Sequence, residues 1–235
     1  MKKHYSLFFL AAASLWRVLA ILLGLAAVQF AAAIWLVQNS GLFLYDFLDH
    51  FLFRWSAAIA LTLIMAVLVR STGGGYTTGY TMERLRVKRS AQLWWFSLWG
   101  ILVFLLCWAV QLGIVLGVCS LYAKGQEVLP WGNQMLLLNS YYSSYFHRLL
   151  PLSDGLGWVY TTVFYVLLGM ASGLGVIRSF YGKRTLWPLV ICLCSGLVRS
   201  PLGDYGWQFI LCIALVFGCG IGYACLPQNR EEVTA

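Results

Sequence analysis

Charge is what this sequence has least of. Only 10% of its 235 residues are Asp, Glu, Lys or Arg, against 61% hydrophobic, and its mean hydropathy is +0.78. A water-soluble domain of this size cannot cover its surface with so few charges. The apolar runs are instead long enough to cross a bilayer. They are continuous, so the short alternating segments of a membrane β-barrel are also absent. Acids are scarcer than bases, with eight Asp and Glu against sixteen Lys and Arg. None of the acids falls in the middle of an apolar run, which removes the usual relay of a proton-coupled transporter. No inverted repeat is visible either.

Other absences narrow the chemistry. Histidine occurs three times, as His4, His50 and His147. None has a metal-ligand partner at helical spacing. Intramembrane-protease signatures are missing. The glycine-rich run Gly73-Gly74-Gly75-Tyr76-Thr77-Thr78-Gly79 lacks the Gly-Lys-Ser/Thr ending of a phosphate loop and follows no strand, so it reads as a linker. The expectation is a chain that is not an enzyme, with no catalytic residues, metal or cofactor of its own. Its net charge of +8 is no nucleic-acid footprint, because the basic residues flank the apolar runs as topology signals do. All seven cysteines lie in or at the ends of apolar runs and read as buried apolar thiols, including the Cys192/Cys194 pair.

What is present predicts an all-α, polytopic membrane protein. A single transmembrane domain covers residues 1–235, with six spans near 18–37, 51–69, 93–122, 158–176, 186–202 and 207–226. The basic, apolar start mimics a signal peptide. However, the apolar character resumes after Arg17 and runs to Val37 with no cleavage site, so the segment reads as retained. Tyr5–Trp16 fits a helix lying along the interface. Twelve of the sixteen basic residues fall on the side of the two termini and the 70–91 and 177–185 loops. Four (Arg54, Lys124, Arg148 and Arg199) fall on the other. The positive-inside rule then places both termini in the cytosol.

Two segments break the pattern. The fifth span is short, and residues 195–207 read either as its snorkelling extension past Arg199 or as a re-entrant turn in the outer leaflet. The outer segment 123–157 carries Trp131, Tyr141, Tyr142, Tyr145 and Phe146, and reads as one or two helices at the headgroup layer. It serves there as a lid or as a gate that touches substrate. The pairs Gly113/Gly117, Gly169/Gly173 and Gly218/Gly222 are small residues one helical turn apart, the spacing at which helices approach closely in lipid.

The charged residues that remain gather in one place, Thr81-Met82-Glu83-Arg84-Leu85-Arg86-Val87-Lys88-Arg89-Ser90. Thr81 suits a helix cap, Glu83 the positive end of the helix dipole, and Lys88 and Arg89 the negative end. Met82 and Leu85 project from one side. The element reads as a short cytosolic helix that docks a partner, or as a solvated linker that touches anionic lipid.

Six spans, cytosolic termini and this helix between spans two and three resemble the ABC-2 type permease of bacterial ABC exporters. The stretch Tyr80–Val87 is similar to the Tyr-Thr-Leu-x-Arg-Leu-type loop of small permease-like subunits. The resemblance implies a re-entrant segment between spans five and six and an interfacial N-terminal helix. It also implies that residues 81–90 form a coupling helix. Met82 and Leu85 would seat in a groove of a cytosolic ATP-binding subunit, with Glu83, Arg84, Arg86 and Arg89 at its rim. ATP and Mg would then be held by that partner, and a second permease subunit, identical or related, would complete the transporter. The large outer segment between spans three and four departs from the family pattern. Trp94, Trp95 and Trp99, near the cytosolic end of span three, read as interface anchors or as substrate contacts. Export of a peptide or hydrophobic compound is the implied function. A membrane interaction or immunity protein that binds a partner without transporting is the alternative.

Overall fold

The computed structural model describes residues 2–39, 46, 48–73, 88–125, 141–151, 155–180, 186–198 and 206–225, and every element among them is a helix. In chain order these are α1 (Lys2–Ala12), α2 (Leu15–Asn39), α3 (Phe51–Gly73), α4 (Arg89–Gly125), α5 (Ser144–Leu149), α6 (Gly155–Phe180), α7 (Trp187–Val198) and α8 (Gly206–Ala224). Among the described residues, four stretches are long and apolar enough to cross a membrane: Ser6–Leu36, Phe51–Arg70, Arg89–Tyr122 and Gly155–Phe180. Their outward faces carry large apolar side chains, among them Leu23, Ile59, Leu63, Leu102 and Val159. In water such a surface would aggregate, whereas in lipid it is the ordinary solvent-facing side.

The expected first, second, fourth and sixth spans correspond to α2, α3, α6 and α8 with shifts of a few residues. Two others differ more. The third begins at Arg89 rather than Leu93 and runs 37 residues, about 55 Å at 1.5 Å per residue. Ser90, Ala91 and Gln92 contain no helix breaker, and the Gln92 amide already donates to the Lys88 carbonyl at 3.1 Å. Arg89 and Ser90 therefore belong to α4 rather than to a separate short helix. The expected fifth span, 186–202, is helical over Trp187–Val198 and its continuation lies outside the described residues. Twelve residues reach about 18 Å, short of a hydrocarbon core about 30 Å thick.

The centre of the bundle is the antiparallel pair α4 and α6. Small residues allow this. A Cβ at Gly169 would fall 2.5 Å from the Ile101 Cα, one at Gly173 2.7 Å from the Ser97 nitrogen, and one at Gly100 2.7 Å from the Gly169 carbonyl oxygen. The two backbones thus come close with only small groups, the Ser97 and Ser172 hydroxyls and one Ile101 side chain, beside the contact, the close approach that substitutes for hydrophobic drive inside lipid. The other two glycine pairs do less. Gly113 faces open space, Gly117 meets the Phe30 ring, Gly218 meets the Trp187 ring, and Gly222 makes only ordinary contact with Arg178 and Leu174.

Around this pair, α1 and α2 pack on α4, α3 packs on α2, α6 and α7, and α8 packs on α6 and α7. Buried side chains form three clusters along the bundle axis. Leu7, Ala11, Phe96 and Val176 close the end where α4 begins. Met65, Phe104, Tyr165 and Leu168 belong to the middle. Leu36, Phe53, Val115, Tyr145 and Phe146 fill the opposite end.

The first turns of the chain run down the side of α4. Phe8 meets the Trp95 and Trp99 rings edge-on at centroid distances of 6.0 and 5.6 Å. The Trp99 indole N–H donates to Ser14 Oγ at 3.2 Å where the chain turns from α1 into α2. Trp95 and Trp99 thus anchor α1, while Trp94 is 70% exposed.

Candidate functional site

Every fully buried polar side chain among the described residues is uncharged, and these include two glutamines, Gln29 and Gln111. A buried primary amide is costly unless its hydrogen bonds are made. Gln29 on α2 donates from Nε2 to Ser56 Oγ at 2.9 Å and to the Phe53 carbonyl at 3.3 Å, both on α3. Gln111 on α4 donates from Nε2 to Gln29 Oε1 at 3.0 Å and to the Tyr145 hydroxyl at 2.6 Å. One network therefore ties α2, α3, α4 and α5 together. Gln111 Oε1 has no partner among the described residues although it is shut off from solvent.

Tyr145 enters this network from α5, a helix of only six residues. A helix that short does not persist alone, because nucleation outweighs the few bonds it gains. It forms because its exposed backbone groups are met by other elements. At its start, Asp49 accepts from Ser144 N through Oδ2 at 3.1 Å, and from Tyr145 N and Ser143 Oγ through Oδ1 at 2.9 Å each. Ser143 Oγ accepts from Phe146 N at 3.3 Å, the usual role of an N-cap. At its end, the Leu149 carbonyl accepts from the Trp108 indole at 3.0 Å and the Arg148 carbonyl from Thr161 Oγ1 at 3.4 Å. The caps come from Asp49 just before α3, from α4 and from α6, so α5, which plugs this end of the bundle, forms only when the bundle does.

Where it is described, the 123–157 segment packs into the end of the bundle. Tyr145, Phe146 and Leu149 are buried in the core, and among the described residues 141–151 only Tyr142 is strongly exposed. Trp108 below it stacks on Tyr165 at 5.8 Å and meets Trp158 edge-on at 5.6 Å. Beside the network, a groove of about 360 Å³ lies between α2 and α3, lined by Ile21, Gly24, Val28, Ser56, Ile59 and Leu63 among others. Ser56 is its polar corner, shared with Gln29.

The docking residues expected from sequence stand apart from this. Met82, Glu83, Arg84, Leu85 and Arg86 lie outside the described residues, whereas Arg89 is half-buried at the first turn of α4. Sequence reading missed the glutamine network. Its signal was two glutamines inside apolar runs, where neutral polar residues are easily passed over in a search for charge. Among the described residues no group of three His, Cys, Asp or Glu side chains is placed to hold a metal ion.

The network carries a direct test. Interhelical hydrogen bonds in membrane proteins are worth about 0.6 kcal/mol on average and up to about 1.7. A double-mutant cycle on Gln29→Leu and Gln111→Leu, read by unfolding in detergent, is expected to give a coupling energy in that range. Additive effects would mean that the two amides do not bond.

No family model matches the chain, and comparison with curated proteins and with solved structures found no match.

Proposed function

We propose that this chain is the membrane-spanning subunit of an ATP-driven transporter, powered by a separate ATP-binding subunit that docks on residues 81–90. In this reading the protein crosses a bacterial cytoplasmic membrane six times with both termini in the cytosol. It exports a peptide or hydrophobic compound, and it works beside a second permease subunit. ATP and Mg belong to the partner.

One observation supports the reading most. Arg89 closes the basic island and opens α4, a single 37-residue helix. Farther along α4, Trp108 and Gln111 hold α5 directly. A push on the island end of α4 thus has a continuous mechanical route to the plug at the other end. A stiff helix packed backbone-to-backbone on α6 moves as a body rather than bending. The alternative, an interaction or immunity protein that transports nothing, is favoured by the filled core around Phe53, Tyr145 and Phe146. A pore would have to open there.

Binding to the ATPase separates the two readings. Leu85→Asp and Arg84→Glu, co-purified with a candidate ATP-binding subunit that binds the parent chain, are expected to weaken docking about tenfold or more, which requires a loss of only about 1.4 kcal/mol. Stimulated ATP hydrolysis should fall in parallel. Parent-like binding and stimulation by both variants would reject the coupling role.

A further inference from the structure

The end of the bundle where α4 begins carries cations and, among the described residues, no acid. Arg70 lies in the last turn of α3, Lys88 precedes α4 and Arg89 opens it, and Arg178 lies in the last turn of α6. Contacts bring these ends together. Ser179 Oγ, next to Arg178, donates to the carbonyl of Val69, the neighbour of Arg70, at 3.4 Å. Phe180 meets Phe96 of α4 with ring centroids 6.1 Å apart. The described acids, Asp46 and Asp49, both stand at the opposite end, before α3.

Within this group Arg178 is distinctive. Its guanidinium lies between α6 and α8, with Nη1 3.8 Å from where a Cβ on Gly222 would stand. Its Nε is shut off from solvent and has no hydrogen-bond partner among the described residues. A buried guanidinium N–H is costly to leave unmade. The remaining requirement is an acceptor with negative charge that approaches along the helix surface. A phosphate fits, because guanidinium forks match its oxygens in charge and in geometry.

We propose that Arg178 is the centre of a binding site for the phosphate of an anionic phospholipid, seated where α6 and α8 meet and flanked by Arg70. The proposal rests on the reading that the chain crosses a bilayer, but not on the transport reading. A lipid is favoured over a free anion by the surroundings. Leu174 and the glycine face of α8 border the guanidinium, and the neighbouring exposed side chains of α8 include Phe217, Ile221 and Tyr223. An acyl chain continues along that apolar face, whereas an inorganic ion gains nothing from it. Basic pockets between helices at a membrane surface take lipid headgroups by this combination of charge and apolar wall.

The test uses the full chain in nanodiscs of phosphatidylcholine, with and without phosphatidylglycerol. Binding to the folded state raises the melting temperature by mass action. Phosphatidylglycerol is expected to raise the melting temperature of the parent and to remain bound in native mass spectra. Arg178→Gln should lose most of that rise and the retained lipid, and Arg178→Lys should keep part of both. Gly222→Leu provides a second route, because it leaves the guanidinium in place while filling the space beside it, and the rise should shrink there too. An equal rise in Arg178→Gln and the parent would overturn the proposal. So would an equal rise from inorganic phosphate in pure phosphatidylcholine, which would make the site one for a free anion. In phosphatidylcholine alone, a drop with Glu231→Gln/Glu232→Gln equal to that with Arg178→Gln would assign the guanidinium to the chain's own tail and would also overturn it.

Discussion

Gly169→Val is expected to destabilise the bundle by about 3 kcal/mol or more, at or beyond the upper end of the usual cost of overpacking. The reason is what the new side chain would meet. At most tight positions a flexible side-chain end yields. Here the nearest atoms include the Ile101 backbone, and a Cβ alone would already sit 2.5 Å from its Cα. The α4 and α6 backbones would have to separate, and the neighbouring contacts at Gly100 and Gly173 would loosen with them. Gly173→Val should behave similarly, since the Ser97 nitrogen would lie 2.7 Å from its Cβ. The control is Gly113→Val on α4, the partner helix. It bears the same change in helix propensity, but nothing lies within 4 Å of its Cβ. Unfolding in a fixed detergent compares the three directly. If Gly169→Val proves no less stable than Gly113→Val, the backbone contact between α4 and α6 is wrong.

The comparison of these glycines also indicates what was legible in the sequence. Hydropathy placed α2, α3, α6 and α8 because lipid imposes a single strong rule on chain composition. Spacing flagged three glycine pairs equally, yet only Gly169/Gly173 meets backbone. The reason lies in which face of each helix turns inward, and i, i+4 spacing does not carry that information. Gln29 and Gln111 stood in plain view within their apolar runs. Their pairing across 82 positions depends on how α2 and α4 cross. The plug α5 was the least legible element. Tyr145 and Phe146 were noticed as aromatics, but a six-residue helix has no periodicity to read. Beyond its own N-cap Ser143, its backbone ends are met by Asp49, Trp108 and Thr161, none of them local to it.

Asp49→Ala is the change expected to release that plug. In the folded protein the Asp49 carboxylate accepts three hydrogen bonds, two from backbone amides of the first turn of α5 and one from Ser143 Oγ. Bonds to a charged acceptor contribute about 1.5–3 kcal/mol each, and shared acceptors contribute less than their sum. A local loss of about 3 kcal/mol follows, which corresponds to roughly a hundredfold faster opening. Hydrogen exchange over residues 141–151 should speed up by that factor, while exchange across the α4–α6 contact stays as in the parent. Ser143→Ala removes only the acceptor for Phe146 N and one donor to Asp49, so it should cost nearer 1 kcal/mol. The order of the two variants matters as much as their size. An anchor built on the carboxylate requires Asp49→Ala to exceed Ser143→Ala. Unchanged exchange in both would mean that Tyr145, Phe146 and Leu149 hold the plug by apolar burial alone. If the plug gates passage, the Asp49→Ala protein should also leak cargo without ATP. Its unfolding would remain cooperative, because the glycine contact at the centre of the bundle is untouched.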